Sequence, residues 1–472
     1  MRGLVPFQIL FLVALAVLFA AAVWLWPDQI AGGLITTAAG AFLAVAIWRV
    51  GLILLSASPP SPPPPPETWP RYTILAALYD EAEVVGQLIE RLTRIDYPPG
   101  RLQGLLVLEA HDHDTIAAAM ATPRPDWLTV HVVPPGLPQT KPRALNCALV
   151  HATGDLLTVY DAEDAPDPLQ LREAAARFAA DSGGKLACLQ APLRIRCQPG
   201  LPGQSNFLDR QFAAEYASLF ETTLPGMARL GLPFPLGGTS NHFRVDALRA
   251  VGGWDGWNVT EDADLGFRLW NHGWTMGVIT RPTLEAPPGG LIDWMPQRAR
   301  WLKGHMQTWG VHTRKPWRLG RRGGFALVMT LGAGLASAAV HGLSLAWVAV
   351  AVMVAAVAGL SPETPSLALS VLVLGAAAAW LACTIGARRA GIPYGPTDMI
   401  SAPAYWALLS LAFVHAGWRL FREPFAWDKT AHRPDVRTQT GRAIETVAND
   451  ALDATAPLRL SAGHAAAPQH VA

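Results

Sequence analysis

Apolar residues run almost unbroken over 4–26, Pro27-Asp28-Gln29 breaks the run, and 30–55 is apolar again apart from Thr36, Thr37 and Arg49. Crossing the hydrocarbon core of a bilayer takes about 20 apolar residues, so the two runs predict a transmembrane helical hairpin over 1–57. A cleaved leader is the competing reading of the first run, but no small-residue cleavage site precedes the second. Ser58-Pro-Pro-Ser-Pro-Pro-Pro-Pro-Pro66 opens a linker over 58–70. Proline fixes φ and has no N–H, which predicts an extended polyproline II spacer. Over 72–283 the period changes to short apolar runs alternating with helical stretches, the signature of an α/β domain with a mainly parallel sheet. Residues 72–78, 105–110, 128–133 and 156–160 read as strands, and 81–95, 114–120 and 144–151 as helices.

Further on, 296–313 has the pattern of an amphipathic helix lying on a membrane surface. The basic cluster Arg314-Lys-Pro-Trp-Arg318-Leu-Gly-Arg321-Arg322 follows, so the positive-inside rule assigns this side to the cytoplasm. Residues 325–360 are too long for one ordinary crossing and carry His341-Gly342 near the middle. They predict two helices, or one crossing and a re-entrant segment, with 366–385 and 402–420 adding two more. Four crossings over 325–421 leave Arg388 and Arg389 outside, whereas three send Arg419, Arg422 and Lys429 outside; we favour four. After Arg433 apolar periodicity is lost, which predicts a disordered tail.

Composition agrees with the pattern: of 472 residues, 51% are hydrophobic and 15% charged, the balance of a membrane protein. The formal net charge of +1 supplies no global field for nucleic acid. Cys147, Cys188, Cys197 and Cys383 are too widely spaced for a metal-binding pattern.

Candidate chemistry gathers behind the predicted strands. Thr158-Val-Tyr-Asp161-Ala-Glu163-Asp164-Ala-Pro-Asp167-Pro delivers carboxylates to the carboxyl end of a strand, where ligands bind in open α/β sheets. Asp161 and Glu163, at alternate positions, could hold Mg2+ or Mn2+ that also touches substrate phosphates. A solvated acidic turn, ended by Pro166 and Pro168, is the plainer alternative. Tyr79-Asp80-Glu81 closes the first strand, and Glu109-Ala-His111-Asp112-His113-Asp114 the second. A zinc centre at the two histidines would lack the rest of its ligands. Lys141-Pro-Arg143-Ala-Leu-Asn146 opens a helix, where backbone N–H groups and cations can meet phosphate. Leu236-Gly237-Gly238-Thr239-Ser240 is a glycine-rich turn. Thr260-Glu261-Asp262 begins a helix, where acids also suit the helix dipole. Gln297-Arg298-Ala-Arg300-Trp301 adds a flat indole face at Trp301 and a fork of donors at Arg300.

This ordered set resembles the membrane-embedded family-2 glycosyltransferases, such as cellulose synthase and hyaluronan synthase. The resemblance covers 72–313, and the flanking apolar regions only in kind. It implies an α/β GT-A (Rossmann-like) catalytic domain over 71–295 inserted between transmembrane helices, with an interfacial helix and basic segment over 296–324. By the same resemblance, Asp161 and Glu163 hold the metal, although the family's second acid is usually Asp. Asp112 replaces the usual Asp-Asp-Gly as the residue that meets the nucleotide base. Tyr79, Glu81, Lys141, Asn146, Gly238, Thr239, Gln297, Arg300 and Trp301 then bind substrate. Thr260 and Glu261 accompany Asp262, the general base. Phe425-Ala-Trp427-Asp-Lys429-Thr430, within 422–472, resembles a Trp-x-Lys-Thr segment of related synthases.

The resemblance implies an inverting, metal-dependent hexosyltransferase of the inner membrane, with its catalytic domain cytoplasmic. Its expected partners are a nucleotide sugar (a UDP-sugar), a glycan or lipid acceptor, the bilayer and an export pathway, with no nucleic acid. A growing β-linked polysaccharide is the first acceptor considered. Single addition to a membrane lipid is the alternative, and a non-catalytic receptor with a degenerate transferase domain a third reading.

Overall fold

The computed structural model describes residues 5–57, 61–196, 207–359 and 366–426. The linker's first residues, Cys197 and the Trp427-Lys429-Thr430 segment with the following tail lie outside them.

Two long helices come first, α1 (Pro6–Leu25) and α2 (Pro27–Leu55), and Pro27 starts the second at a position where its missing N–H costs nothing. The α/β region then runs β1 (Tyr72–Leu78), α3 (Val85–Thr93), β2 (Leu102–Glu109), α4 (His113–Ala121), β3 (Leu128–Val133), α5 (Lys141–Leu149) and β4 (Leu156–Tyr160). It continues through β5 (Ala165–Pro166), α6 (Gln170–Ala179), β6 (Leu186–Gln190), β7 (Leu193–Ile195), α7 (Phe207–Ser218) and α8 (Leu224–Arg229). Next come β8 (Asn241–Arg244), α9 (Val245–Ala250), α10 (Glu261–Asn271), β9 (Thr275–Val278) and β10 (Thr283–Glu285). Helices close the described chain: α11 (Leu291–His312), α12 (Gly320–Leu327), α13 (Ala333–Ala358), α14 (Ser366–Ala390) and α15 (Pro396–Arg422).

The main sheet has the order β3-β2-β1-β4-β8-β6-β9, and β5-β10-β7 form a small second sheet. β1 pairs in parallel with both β2 and β4, so the chain reverses its winding direction at this point. The strand predictions hold for β1, β3 and β4, while β2 starts three residues earlier than its apolar run. Both faces of β1 and β4 are buried, which explains their unbroken apolar sequence. One core cluster includes Leu75, Leu157 and Phe243, and another includes Ile74, Leu106 and Leu171. The first helix after β1 starts at Val85, not at residue 81, because Asp80 has φ +53° and Glu81 N donates to Thr115 Oγ1 at 2.9 Å.

Among the described residues, five helical stretches are long and apolar enough to cross a membrane. The 325–360 region is a single helical run, not two helices: α12 continues through a π-helical turn, Val328–Gly332, into α13. No proline interrupts 317–361, and His341 bonds the Ser337 carbonyl one turn back at 2.8 Å. Its ring also lies between Phe42 of α2 and Trp406 of α15, at 6.2 and 5.4 Å. His341 is thus satisfied within its own helix, and Gly342 N donates to Ser410 Oγ of α15 at 2.8 Å.

Where these helices meet the α/β region, backbones touch. A Cβ on Gly386 of α14 would run into the Ala217 carbonyl and lie 2.7 Å from Ser218 N, whereas one on Gly375 meets nothing within 4 Å. Gly386→Val is therefore expected to destabilise the protein by about 1–3 kcal/mol. Thermal unfolding in detergent should show a lower Tm for it and an unchanged one for Gly375→Val; equal Tm values would refute the contact.

Candidate active site

The winding reversal places the carboxyl ends of β1 and β4 side by side, where a crevice is expected. A cavity of about 400 Å³ opens there. Of the residues singled out in the sequence, Tyr79, Glu81, Lys141, Asp161, Glu163, Gly238, Thr239, Thr260, Glu261, Asp262, Gln297, Arg300 and Trp301 line it. The acid pair, the Thr-Glu-Asp stretch and the Gln-x-x-Arg-Trp stretch thus share one cleft.

Each group arrives by a local device. Beyond β4 the chain turns so that Asp161 N donates to Asp164 Oδ2 at 2.7 Å, and the Thr239 hydroxyl donates to the same oxygen. This leaves the Asp161 carboxylate to pair with Lys141 of α5, whose ammonium also donates to Gly238 O at 2.8 Å. α10 begins with Glu261 and Asp262 in its first turn, next to the helix's positive end. α11 carries Gln297, Arg300 and Trp301 at i, i+3 and i+4, one face of a helix. Its approach to α10 requires Gly304, where a Cβ would lie 2.7 Å from Thr260 Cβ.

Asp112 and Asn146 do not line the cavity. Asp112 caps α4, accepting from Thr115 N at 3.2 Å, and its other oxygen accepts from Asp80 N at 2.6 Å. Asn146 clamps residue 254 in both directions: its Nδ2 donates to Trp254 O at 2.7 Å and its Oδ1 accepts from Trp254 N at 3.0 Å. Both brace the loops that shape the cleft.

Sequence reasoning missed Glu285, at the end of β10, and Tyr216, on α7; both line the cavity. It also passed over Arg298, the buried residue beside Gln297. The Arg298 guanidinium donates to both carboxylate oxygens of Glu215, at 3.0 and 2.5 Å, and to Tyr405 OH at 2.9 Å. It stands 4.6 Å from the Trp301 ring centre and 4.7 Å from that of Phe212, and so backs the indole. No motif announced Glu285 or Tyr216, which reach the cleft from separate elements through packing, whereas Arg298 sits behind Trp301 without lining the cavity.

Charge is concentrated here. Burial, then Asp161 and Glu163, push the Asp164 carboxyl well above its ordinary range, and burial with the same acids and Asp164 does so for Glu285. Burial raises Asp262 as well. Burial, then the neighbouring Asp262, raises Glu261 to about 7. Burial alone would lower Lys141, but Asp161 and Glu261 hold its pKa above the ordinary value. Among the described residues no group of three or more His, Cys, Asp or Glu side chains is arranged to hold a metal. A Mg2+ or Mn2+ bound through one or two carboxylates plus substrate phosphates needs no such cage. The all-oxygen donors Asp161 and Glu163, in a cluster whose mutual repulsion already raises Asp164 and Glu285, suit such an ion.

Comparison with known proteins agrees with this geometry. Residues 156–383 match the family model described as glycosyl transferase family group 2. A β-monoglucosyldiacylglycerol synthase from Synechocystis sp. is 28% identical over 248 residues, which is 51% of this chain and 49% of that protein. The UDP-forming cellulose synthase 1 catalytic subunit of Komagataeibacter xylinus is 25% identical over 259 residues, 54% of this chain and 34% of that one. The matched region thus spans half or less of these two relatives. A mannosyltransferase from Pyrobaculum calidifontis, solved with GDP-Man and Mn2+, superposes with a TM-score of 0.55 at 20% identity, covering 83% of this chain and 98% of its own. Framed by apolar helices, with its mixed sheet in the GT-A, Rossmann-like arrangement, the chain carries a family-2 glycosyltransferase domain.

Proposed function

We propose that the protein transfers a sugar, with inversion, from a nucleoside diphosphate donor, a UDP-sugar, to an acceptor hydroxyl at the membrane face. The observation that carries this reading is the meeting of Asp161, Asp262 and Trp301 in one cavity. Asp262, with its pKa raised by burial, takes the proton from the acceptor hydroxyl. The hydroxyl oxygen bonds to the anomeric carbon as the bond from that carbon to the diphosphate breaks, so an α-linked donor yields a β product. Lys141 and Arg300 provide positive charge for the departing diphosphate, and Trp301 stacks on the acceptor sugar. A divalent ion held by Asp161 and Glu163 would supply further charge neutralisation to the diphosphate. The catalytic domain faces the cytoplasm, on the side of the basic segment after α11.

A growing β-linked polysaccharide, passed outward through the membrane helices, is the first acceptor proposed. The second, single addition to a membrane lipid, is favoured by the likeness to β-monoglucosyldiacylglycerol synthase. Incubating the protein in lipid with labelled UDP- and GDP-sugars, then sizing the product, separates them: a ladder marks the polymer and one sugar per lipid the glycolipid. No transfer from any nucleotide sugar, without metal-dependent nucleotide binding, would defeat both.

Asp262→Asn is expected to abolish transfer while binding nucleotide as the unaltered protein does, by calorimetry; retained turnover would remove Asp262 from the base role. Glu261 gives a pH signature. Its folded pKa lies above the ordinary carboxylate value, so the folded state holds a proton that the unfolded chain has lost, and stability falls as pH rises through that window. Glu261→Gln removes this loss. Relative to the unaltered protein, its Tm should be higher at pH 8 and equal at pH 5; a difference independent of pH would contradict the assignment.

A further inference from the structure

α15 is 27 residues long and apolar enough to cross a membrane, yet the α/β domain and α11 hold both of its ends. At its start, Asp398 accepts from Arg210 Nη2 at 2.5 Å and its carbonyl accepts from Gln211 Nε2 at 2.7 Å, both donors on α7. Just past its end, Lys303 Nζ of α11 donates to Glu423 O at 3.1 Å and Ala426 O at 2.7 Å. Gln307 Nε2 donates to Pro424 O at 2.7 Å, and the Phe425 ring lies 5.1 Å from that of Trp257, next to the Thr-Glu-Asp stretch. Between these anchors Tyr405 meets Arg298 of α11. From residue 398 to 423 a helix rises roughly 38 Å at 1.5 Å per residue. That exceeds a hydrocarbon core of about 30 Å, so a crossing helix would carry its ends to opposite faces.

The side chains are sorted in the same sense. Asp398, Ala402, Tyr405, Ala412 and Ala416 are buried. Ile400, Leu411, Val414, Trp418 and Phe421 form an exposed stripe, 61–88% accessible. By contrast, α1 is exposed nearly all round, and Gln8 alone among its residues is buried. A continuous stripe of large apolar side chains needs lipid against it, and the polar anchors that tie both ends of the helix to α7 and α11 decide at what depth that lipid lies. Arg419 and Arg422 stand in its last turn, with Arg422 4.8 Å from the Trp418 ring centre. Cation and indole at that end match the chemistry of a headgroup layer.

We propose that α15 does not span the bilayer. It lies along the membrane surface on the side of the α/β domain, with the 400–421 stripe set into the acyl boundary, while α1, α2, α13 and α14 cross. This replaces the crossing expected over 402–420 and returns the described chain to the side of the catalytic domain without a further span.

Spin labels at positions 400, 411 and 421 of the full chain, with its native cysteines replaced, can be placed in phosphatidylcholine and phosphatidylglycerol vesicles. Their relative collision rates with oxygen and a nickel chelate report depth. All three are expected within about 10 Å of the headgroup boundary, with a label at Val354 of α13 deep in the hydrocarbon. A label at 411 near the midplane, with 400 and 421 shallow, would overturn the proposal. A second measurement keeps the native cysteines and reads the added labelling by a membrane-impermeant maleimide. Cysteines introduced at Thr397 and Ala426 should react from the same side as one at Glu67; reaction of 426 from the opposite side would equally overturn it.

Discussion

Crowding carboxylates in a space shielded from water is the constraint on which the cleft depends. Asp161, Glu163, Glu261, Asp262 and Glu285 line one cavity with Asp164 buried close behind, and their negative charges repel one another. Such an assembly persists where cations or protons offset the charge. Lys141 does so from the start of α5 and Arg300 from α11, while burial and the neighbouring acids raise the carboxyls of Asp164, Glu261 and Glu285. On the proposed function, the same crowding would favour a divalent ion, and an ion there would favour a diphosphate.

The parts of this site legible in the sequence were those built from contiguous residues. Asp161 follows an apolar strand directly, and a strand's end needs no tertiary knowledge to locate. Gln297, Arg300 and Trp301 share a helical face, so their spacing announced their convergence. Glu285 had no such signal: it ends β10 of the small second sheet, and its place beside Asp161 depends on pairing between segments far apart in sequence. Asp112 and Asn146 stood where family likeness put substrate contacts, but their side chains are committed to Asp80, Thr115 and Trp254. Linear order gave the neighbourhood of each loop without saying which way a side chain points.

The fold shows a parallel division. Strands buried on both faces were readable as apolar runs, whereas β8, inserted antiparallel between β4 and β6, was marked by little beyond the glycine-rich turn before it. Among the helices, hydropathy measured apolar length correctly but not direction. It could not distinguish α13, a continuous helix through His341, from two shorter ones. Nor could it register the polar anchors on α7 and α11 that hold the two ends of α15.

Arg298 joins three separately encoded helices: its charge is met by Glu215 of α7 and by the Tyr405 hydroxyl of α15, which itself donates to Glu215 Oε2 at 2.5 Å. The final helix is therefore not an interchangeable module. A chimera that grafts a relative's last helix onto this chain would have to bring a phenol at position 405, or the clamp behind the indole would lose one of its corners.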